Sequence, residues 1–373
     1  MDRDNNRLLS LELRGYKSIP YNAPLYLEFD DINILLGANG AGKSNVISFF
    51  RFLGHMMDGD LQRYVAFSGT NSVFLNYGSR VTSAFSARLK FRCDDYICIY
   101  SLKVSHAIPD RLIVESERIE LLSADDTDRN IVRELESDHM ESALVTSADS
   151  YCRCLRKMLE SCKAYQFNDS SATSPMRQAS AVDSAHYLQS QAENLASFLY
   201  FLKMYHADAY DRIIKYVRGV VPQFKDFYLE PAGGYVSLKW RDDSVNDYIL
   251  SADQLSDGSI RFIALATVLL QPAELMPFMI IIDEPELGLH PYAVDQLNEM
   301  IKDALRHAQI LISTQSTALI DGFGVEDITV VERDESIDGT VARRLDGEEY
   351  REWLKEYTIS ELWNKNVIGG RPV

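Results

Sequence analysis

Eight residues constrain this chain more than anything else in it: Gly37-Ala38-Asn39-Gly40-Ala41-Gly42-Lys43-Ser44. They satisfy G-x-x-x-x-G-K-[ST] at every position. Backbone N–H groups can converge on phosphate oxygens only where the loop bends without Cβ clashes, so glycine dominates. The context agrees. DINILLG before the loop reads as a buried strand, and NVISFFRFL after it reads as a helix whose N-terminal dipole favours an anion. Gly37, Asn39, Gly40, Gly42 and Asn45 are therefore candidate phosphate-site residues. Lys43 is spaced to reach β- and γ-phosphates, and Ser44 to hold Mg²⁺.

A strand ending in acids complements the loop. Met279-Ile280-Ile281-Ile282 is apolar throughout, as a strand buried on both faces must be, and it runs into Asp283-Glu284. Asp283 can bind Mg²⁺, and Glu284 can orient or deprotonate a water. Leu255-Ser256-Asp257-Gly258-Ser259 stands before the apolar helix IRFIALATVLL. Taken alone, this segment is an ordinary N-cap; beside the other two it is a second small anion site.

Composition bounds the class. Lys and Arg number 38 against 55 Asp and Glu, a net charge of −17, and 46% of residues are hydrophobic. The chain is too apolar to be mainly disordered and too acidic to be coated in basic surface for duplex DNA or anionic lipid. The N-terminus shows no signal-peptide pattern, and no run is long and apolar enough for a membrane span. Cysteines number five, at positions 93, 98, 152, 154 and 162. They suit free thiols in a reducing, cytoplasmic compartment.

Strands are expected at 8–19, 25–29 and 31–37, then as an antiparallel meander through SVFLNY, AFSARLKF, YICIYSLKV and LIVESERIEL. SADDTDRN and NDSSATSP read as loops around a short basic helix, YCRCLRKMLESCKAY. Leu195, Phe198, Leu199 and Leu202, then Tyr210, Ile213, Ile214 and Val217, fall at amphipathic helical spacing. ITVVER and TVARRL flank a hairpin at Asp334–Gly339, and a last helix is expected to carry Tyr350, Trp353, Leu354 and Tyr357 on one face.

In this order the pieces resemble an ABC-type ATPase head of the SMC/RecF kind. GANGAGKS looks like Walker A, MIIIDE like Walker B with its catalytic glutamate, and LSDGS like the signature. DEPELGLHP resembles a stretch of RecF-like AAA-family ATPases, including the overcoming-lysogenisation-defect group. GYKSI resembles the end of their first strand, and ELWNKNVIGGRP the tail of a stand-alone subgroup.

The resemblance implies an α/β fold: an ABC-type P-loop head with a mixed β core and an antiparallel lobe. Residues 1–121 would form the N-terminal lobe, 122–219 a mainly helical insertion, and 220–373 the C-terminal lobe. It implies ATP and Mg²⁺, and a dimer in which Ser256 and Gly258 close over the other subunit's ATP. Gln315 stands at the switch position where most ABC proteins have His; its amide can donate a hydrogen bond but cannot take a proton. Lys17 and Ser18 either approach the nucleotide or sit on a surface edge. Glu286 and His290 occupy the D-loop place, where His290 either reports across a dimer or, the favoured reading, caps the following helix. No Toprim nuclease is expected after Gln315. The resemblance therefore points to an ATPase regulating a separate effector, such as a nuclease. The alternative is a RecF-like protein touching DNA through Arg153, Arg156, Lys157, Lys163, Lys203, Arg212, Lys215 and Arg218, residues that equally suit solvated helix faces.

Overall fold

The computed structural model describes residues 6–93, 96–123, 130–135, 139–244 and 248–371, so most of SADDTDRN lies outside the described residues. The chain divides into two compact units. One comprises residues 1–164, 278–281 and 324–373, the other 165–277 and 282–323.

The first unit carries a six-stranded antiparallel sheet. Its order is Leu25–Glu28, Asn6–Arg14, Ala84–Cys93, Tyr96–Ala107, Arg111–Ser123 and Ile131–Glu134. Strand alternation drives it: Leu89 and Phe91 point inward while Lys90 and Arg92 face water. Asn6–Arg14 breaks strict alternation, burying both Ser10 and Leu11, because a bulge shifts its register between Leu8 and Ser10. SVFLNY does not join the sheet. Asn71–Phe74 is a turn of 3-10 helix instead, since the Asn71 amide is drawn away to the Arg111 carbonyl at 2.9 Å and the His106 ring at 2.6 Å.

The same unit holds the strand Ile32–Leu36, buried at every residue, which runs into the phosphate loop. It pairs in parallel with Ile328–Asp334, which pairs antiparallel with Gly339–Arg344 through the expected hairpin. The helix Lys43–Asp58 follows the loop. The continuous last helix does not form. Gly347–Tyr350 and Trp353–Lys355 are single turns, and Thr358 and Glu361 start a new helix, Ile359–Asn364, with a reciprocal capping box. Tyr350 is buried, whereas Trp353 is exposed.

The second unit is mainly helical: Leu195–Tyr205, Ala207–Val220, Asp257–Leu270 and Pro291–Ala304. The apolar positions read from spacing in the first two are all buried. From Ile260 to Leu270 every residue of the third helix is buried, as expected for one that is apolar on all sides. A small sheet, Phe224–Tyr228, Lys239–Asp242 and Ile249–Ser251, packs Phe224, Phe227 and Trp240 together. Among the described residues, no helix is long and apolar enough to cross a membrane.

Candidate functional site

In the first unit, all seven candidate residues from Gly37 to Asn45 lie in one turn and the start of its helix. Lys43 is buried, and its Nζ donates to the Gly37 carbonyl at 2.7 Å and the Ala38 carbonyl at 3.0 Å. The ammonium thus sits within the loop, where an anion would meet it. Gly42 takes φ 110°, and a Cβ there would come within 2.2 Å of Thr340 Oγ1; both facts demand glycine. Asn39, Gly40 and Ser44 face outward, leaving the loop open on the side a phosphate would approach. This cradle fits a nucleotide's phosphates.

Tyr16-Lys17-Ser18 is drawn to the same helix. Tyr16 is fully buried against Phe49, Phe52, Phe74 and Phe85, and its hydroxyl lies 3.2 Å from Ser48 Oγ. Behind that anchor Lys17 adopts φ 50°, and Ser18 Oγ accepts from Asn45 Nδ2 at 2.6 Å. Burial, reinforced by the nearby Arg51 charge, lowers the Lys17 ammonium to about 8. Ser18 thus lies against the phosphate-loop helix.

In the second unit, Asp283 and Glu284 end the strand Met279–Asp283, beside Gln309–Thr314. Asp283 is buried and accepts from Ser313 Oγ. Glu284 holds φ 48°, a left-handed backbone uncommon outside glycine, and its N–H donates to the Ser313 carbonyl at 3.0 Å. The backbone at Glu284 is thereby fixed at the end of the strand. Half-buried Gln315 follows Thr314. His290 is a helix cap: its Nδ1 accepts from Tyr292 N–H at 3.3 Å.

Ser256 caps the helix Asp257–Leu270, accepting from Ser259 N–H at 3.1 Å, and remains exposed. Gly258 meets the Gly288 backbone so closely that a Cβ would lie 2.5 Å from the Gly288 carbonyl oxygen.

The family model described as "AAA domain, putative AbiEii toxin, Type IV TA system" matches residues 32–321. The chain belongs to this AAA family. No curated protein matches it. Among solved structures it is similar to an SmcHead bound to the C-winged helix domain of ScpA, at 16% identity and TM-score 0.58, over 92% of this chain and 99% of that one. It is likewise similar to an Smc head domain with an extended coiled coil bound to the C-terminal domain of ScpA derived from Pyrococcus furiosus. There the identity is 15% and the TM-score 0.58, over 94% of this chain and 99% of that one. These likenesses show the fold, a mixed α/β ABC-type P-loop ATPase head.

Three residues of this AAA chain's second unit escaped the sequence reading or were undervalued by it. Arg177 exposes only 4% of its side chain, and its guanidinium donates to the carbonyls of Ala252 and, at 3.3 Å, Leu255, and to Asp257 at 3.1 Å. It holds the LSDGS loop from the side. Arg261 donates to the carbonyls of Phe167 at 2.8 Å, Asn168 at 3.1 Å and Leu287. It thus ties the helix Asp257–Leu270 to the loop after Glu284. A lone Arg inside IRFIALATVLL was the legible signal, because a charge in a buried helix must have partners.

Glu286 is the third. Its Oε1 accepts from Thr314 Oγ1 at 2.6 Å and its carboxyl also accepts from the Gln315 N–H, while Oε2 is buried with no partner. Burial raises its pKa above the usual carboxylate value. A raised folded-state pKa means that stability is fully present below the unfolded value near 4.5 and falls as pH rises through the folded value. Glu286→Gln, always neutral, should flatten that decline. Urea unfolding at pH 5 and pH 8 should show a smaller difference for the variant than for the parent. An unchanged difference would remove Glu286 as its source.

The eight basic residues proposed for DNA divide between the units. Arg156 pairs with Glu160 at 2.6 Å, Lys203 with Asp226 at 3.4 Å and Arg212 with Asp303 at 3.1 Å.

Proposed function

We propose that this chain binds and hydrolyses ATP with Mg²⁺ as a relative of the overcoming-lysogenisation-defect and RecF-like ATPases. Its cycle would regulate a separate effector, such as a nuclease, in phage defence or DNA maintenance. The observation that carries the nucleotide reading is the phosphate loop itself, with Lys43 drawn into it by two carbonyls at the start of a long helix. In this reading Gly37, Asn39, Gly40, Gly42 and Asn45 surround the phosphates, Lys43 offsets their charge, and Ser44 and Asp283 hold Mg²⁺. The metal, when bound, screens the phosphate oxygens. Glu284 orients a water and takes its proton. Gln315 donates to the γ-phosphate as a hydrogen bond only, which makes slow turnover the expectation.

The signature acts in trans. Ser256 and Asp257 are exposed at a helix N-terminus, which supports closure of one copy's signature over its partner's phosphates. The insertion expected at 122–219 divides between the units, 122–164 with the first and 165–219 with the second. Regulation of an effector draws on the family description, which names a putative AbiEii toxin and a Type IV TA system, and on the similar SMC heads, which are bound to domains of ScpA. Direct DNA contact is the alternative, and it is weakened by the carboxylate partners of Arg156, Lys203 and Arg212.

The test is Ser256→Arg. Its bulk and charge stand at the proposed cross-subunit contact and outside the Lys43 cradle. Sedimentation should show ATP-driven dimers for the parent, none for the variant, and nucleotide binding retained by both. Dimerisation of the variant equal to the parent's would end the trans-signature model.

A further inference from the structure

The segment Ile368–Arg371 lies against the phosphate loop. The Gly370 carbonyl accepts from Ala38 N–H at 3.0 Å, and the Gly370 N–H donates to Glu332 Oε1. Glu332 belongs to the strand Ile328–Asp334, the parallel neighbour of the strand that feeds the loop. The segment is fastened on both flanks. Ile368 is fully buried and its carbonyl accepts from Arg343 at 2.9 Å, while Arg371 donates to the Asn364 carbonyl at 2.7 Å.

The close approach depends on glycine. Gly370 takes φ 78°, and a Cβ there would stand 2.8 Å from Val330 Cγ1 and 3.7 Å from Gly37 Cα. The other limb of the loop has its own tie, from Thr340 Oγ1 to the Ala41 carbonyl at 2.9 Å. Asn39, Gly40, Glu332, Arg333, Gly370 and Arg371 border one cavity of about 650 Å³.

We propose that Gly369–Arg371 is a clamp that positions the phosphate loop for its nucleotide, with Gly370 as the positioning residue. The inference rests on the nucleotide reading above. Ala38 is the first residue after Gly37, so a fixed Ala38 N–H sets where the rest of the loop curls. Two ties, Gly370 to Ala38 and Thr340 to Ala41, hold the limbs apart before the nucleotide arrives. Less ordering is then left to be done on binding.

The experiment compares four proteins: the parent, Lys43→Ala, Gly370→Val and Glu332→Ala. Each is titrated with a fluorescent ATP analogue and melted without nucleotide. Gly370→Val, which displaces the clamp, should weaken binding by about tenfold. Glu332→Ala, which removes one hydrogen bond of the clamp, should weaken it by roughly threefold while the nucleotide-free melting temperature stays near the parent's. That split separates positioning from general stability, and Glu332→Ala carries the test if Gly370→Val does not fold. Parental affinity in Glu332→Ala, or a fall in its melting temperature with affinity intact, overturns the clamp. Parental affinity in Lys43→Ala instead overturns the nucleotide reading, and the clamp with it.

Discussion

Glu284→Gln should bind ATP as the parent does and hydrolyse it about 10² to 10⁴ times more slowly, the usual contribution of a positioned general base. The substitution keeps size and hydrogen-bonding capacity and removes only the proton acceptor. The backbone supports the assignment. At φ 48° Glu284 occupies a conformation that costs of order 1–3 kcal/mol for a residue with a side chain, held by the bond from its N–H to the Ser313 carbonyl. Such a cost is tolerated where an exact side-chain direction matters. Phosphate release measured under single-turnover conditions, beside equilibrium nucleotide binding, checks the prediction. Turnover at the parental rate would falsify the role of base. With hydrolysis blocked, the dimer should also persist for as long as ATP is bound.

Tyr16→Ala should be the most destabilising single substitution considered, by roughly 3–5 kcal/mol, the range for deleting a large aromatic side chain from a core. Tyr16 is fully buried amid four phenylalanines contributed by the phosphate-loop helix, the 3-10 turn and a sheet strand. Tyr16→Phe keeps the ring and loses only the contact with Ser48, so about 1 kcal/mol is expected. Chemical denaturation of both variants checks the ratio. If Tyr16→Ala cost no more than Tyr16→Phe, the ring cluster would not be the anchor of the GYKSI turn. Loss of the anchor should also free Lys17 and Ser18 from the helix that carries Asn45.

What the sequence made legible is what local chemistry dictates. The phosphate loop needs its glycines wherever it occurs, so spacing alone located Gly37 to Ser44. The two amphipathic helices declared themselves through period, and the acids after Met279–Ile282 through an abrupt change of polarity. Contacts between distant segments were not legible. Arg177 reaches the LSDGS loop from nearly eighty residues away, about the separation of Arg177 and Leu255, and no local pattern marks a carbonyl as its partner. SVFLNY alternates like a strand but lost to the side-chain bonds of Asn71. The last helix looked continuous until Thr358 and Glu361 restarted it. Nothing local in ELWNKNVIGGRP marks Gly369 and Gly370, yet their packing against Val330 and Glu332 makes them part of the phosphate-loop wall.

Arg177 and Arg261 also have an electrostatic consequence. Between them they engage mainly carbonyl oxygens, and among the described residues the carboxylate paired with Arg177 is Asp257, itself exposed. Their charge is therefore only partly cancelled. In a chain of net charge −17, two immobile guanidinium groups behind the Ser256 helix end create a local positive potential that reinforces the helix dipole. Long-range repulsion from the acidic surface is damped beyond about 8 Å at physiological salt. The short-range field of these two arginines is not. Salt should therefore damp the acidic surface's long-range field while leaving intact the close-range field of these two arginines.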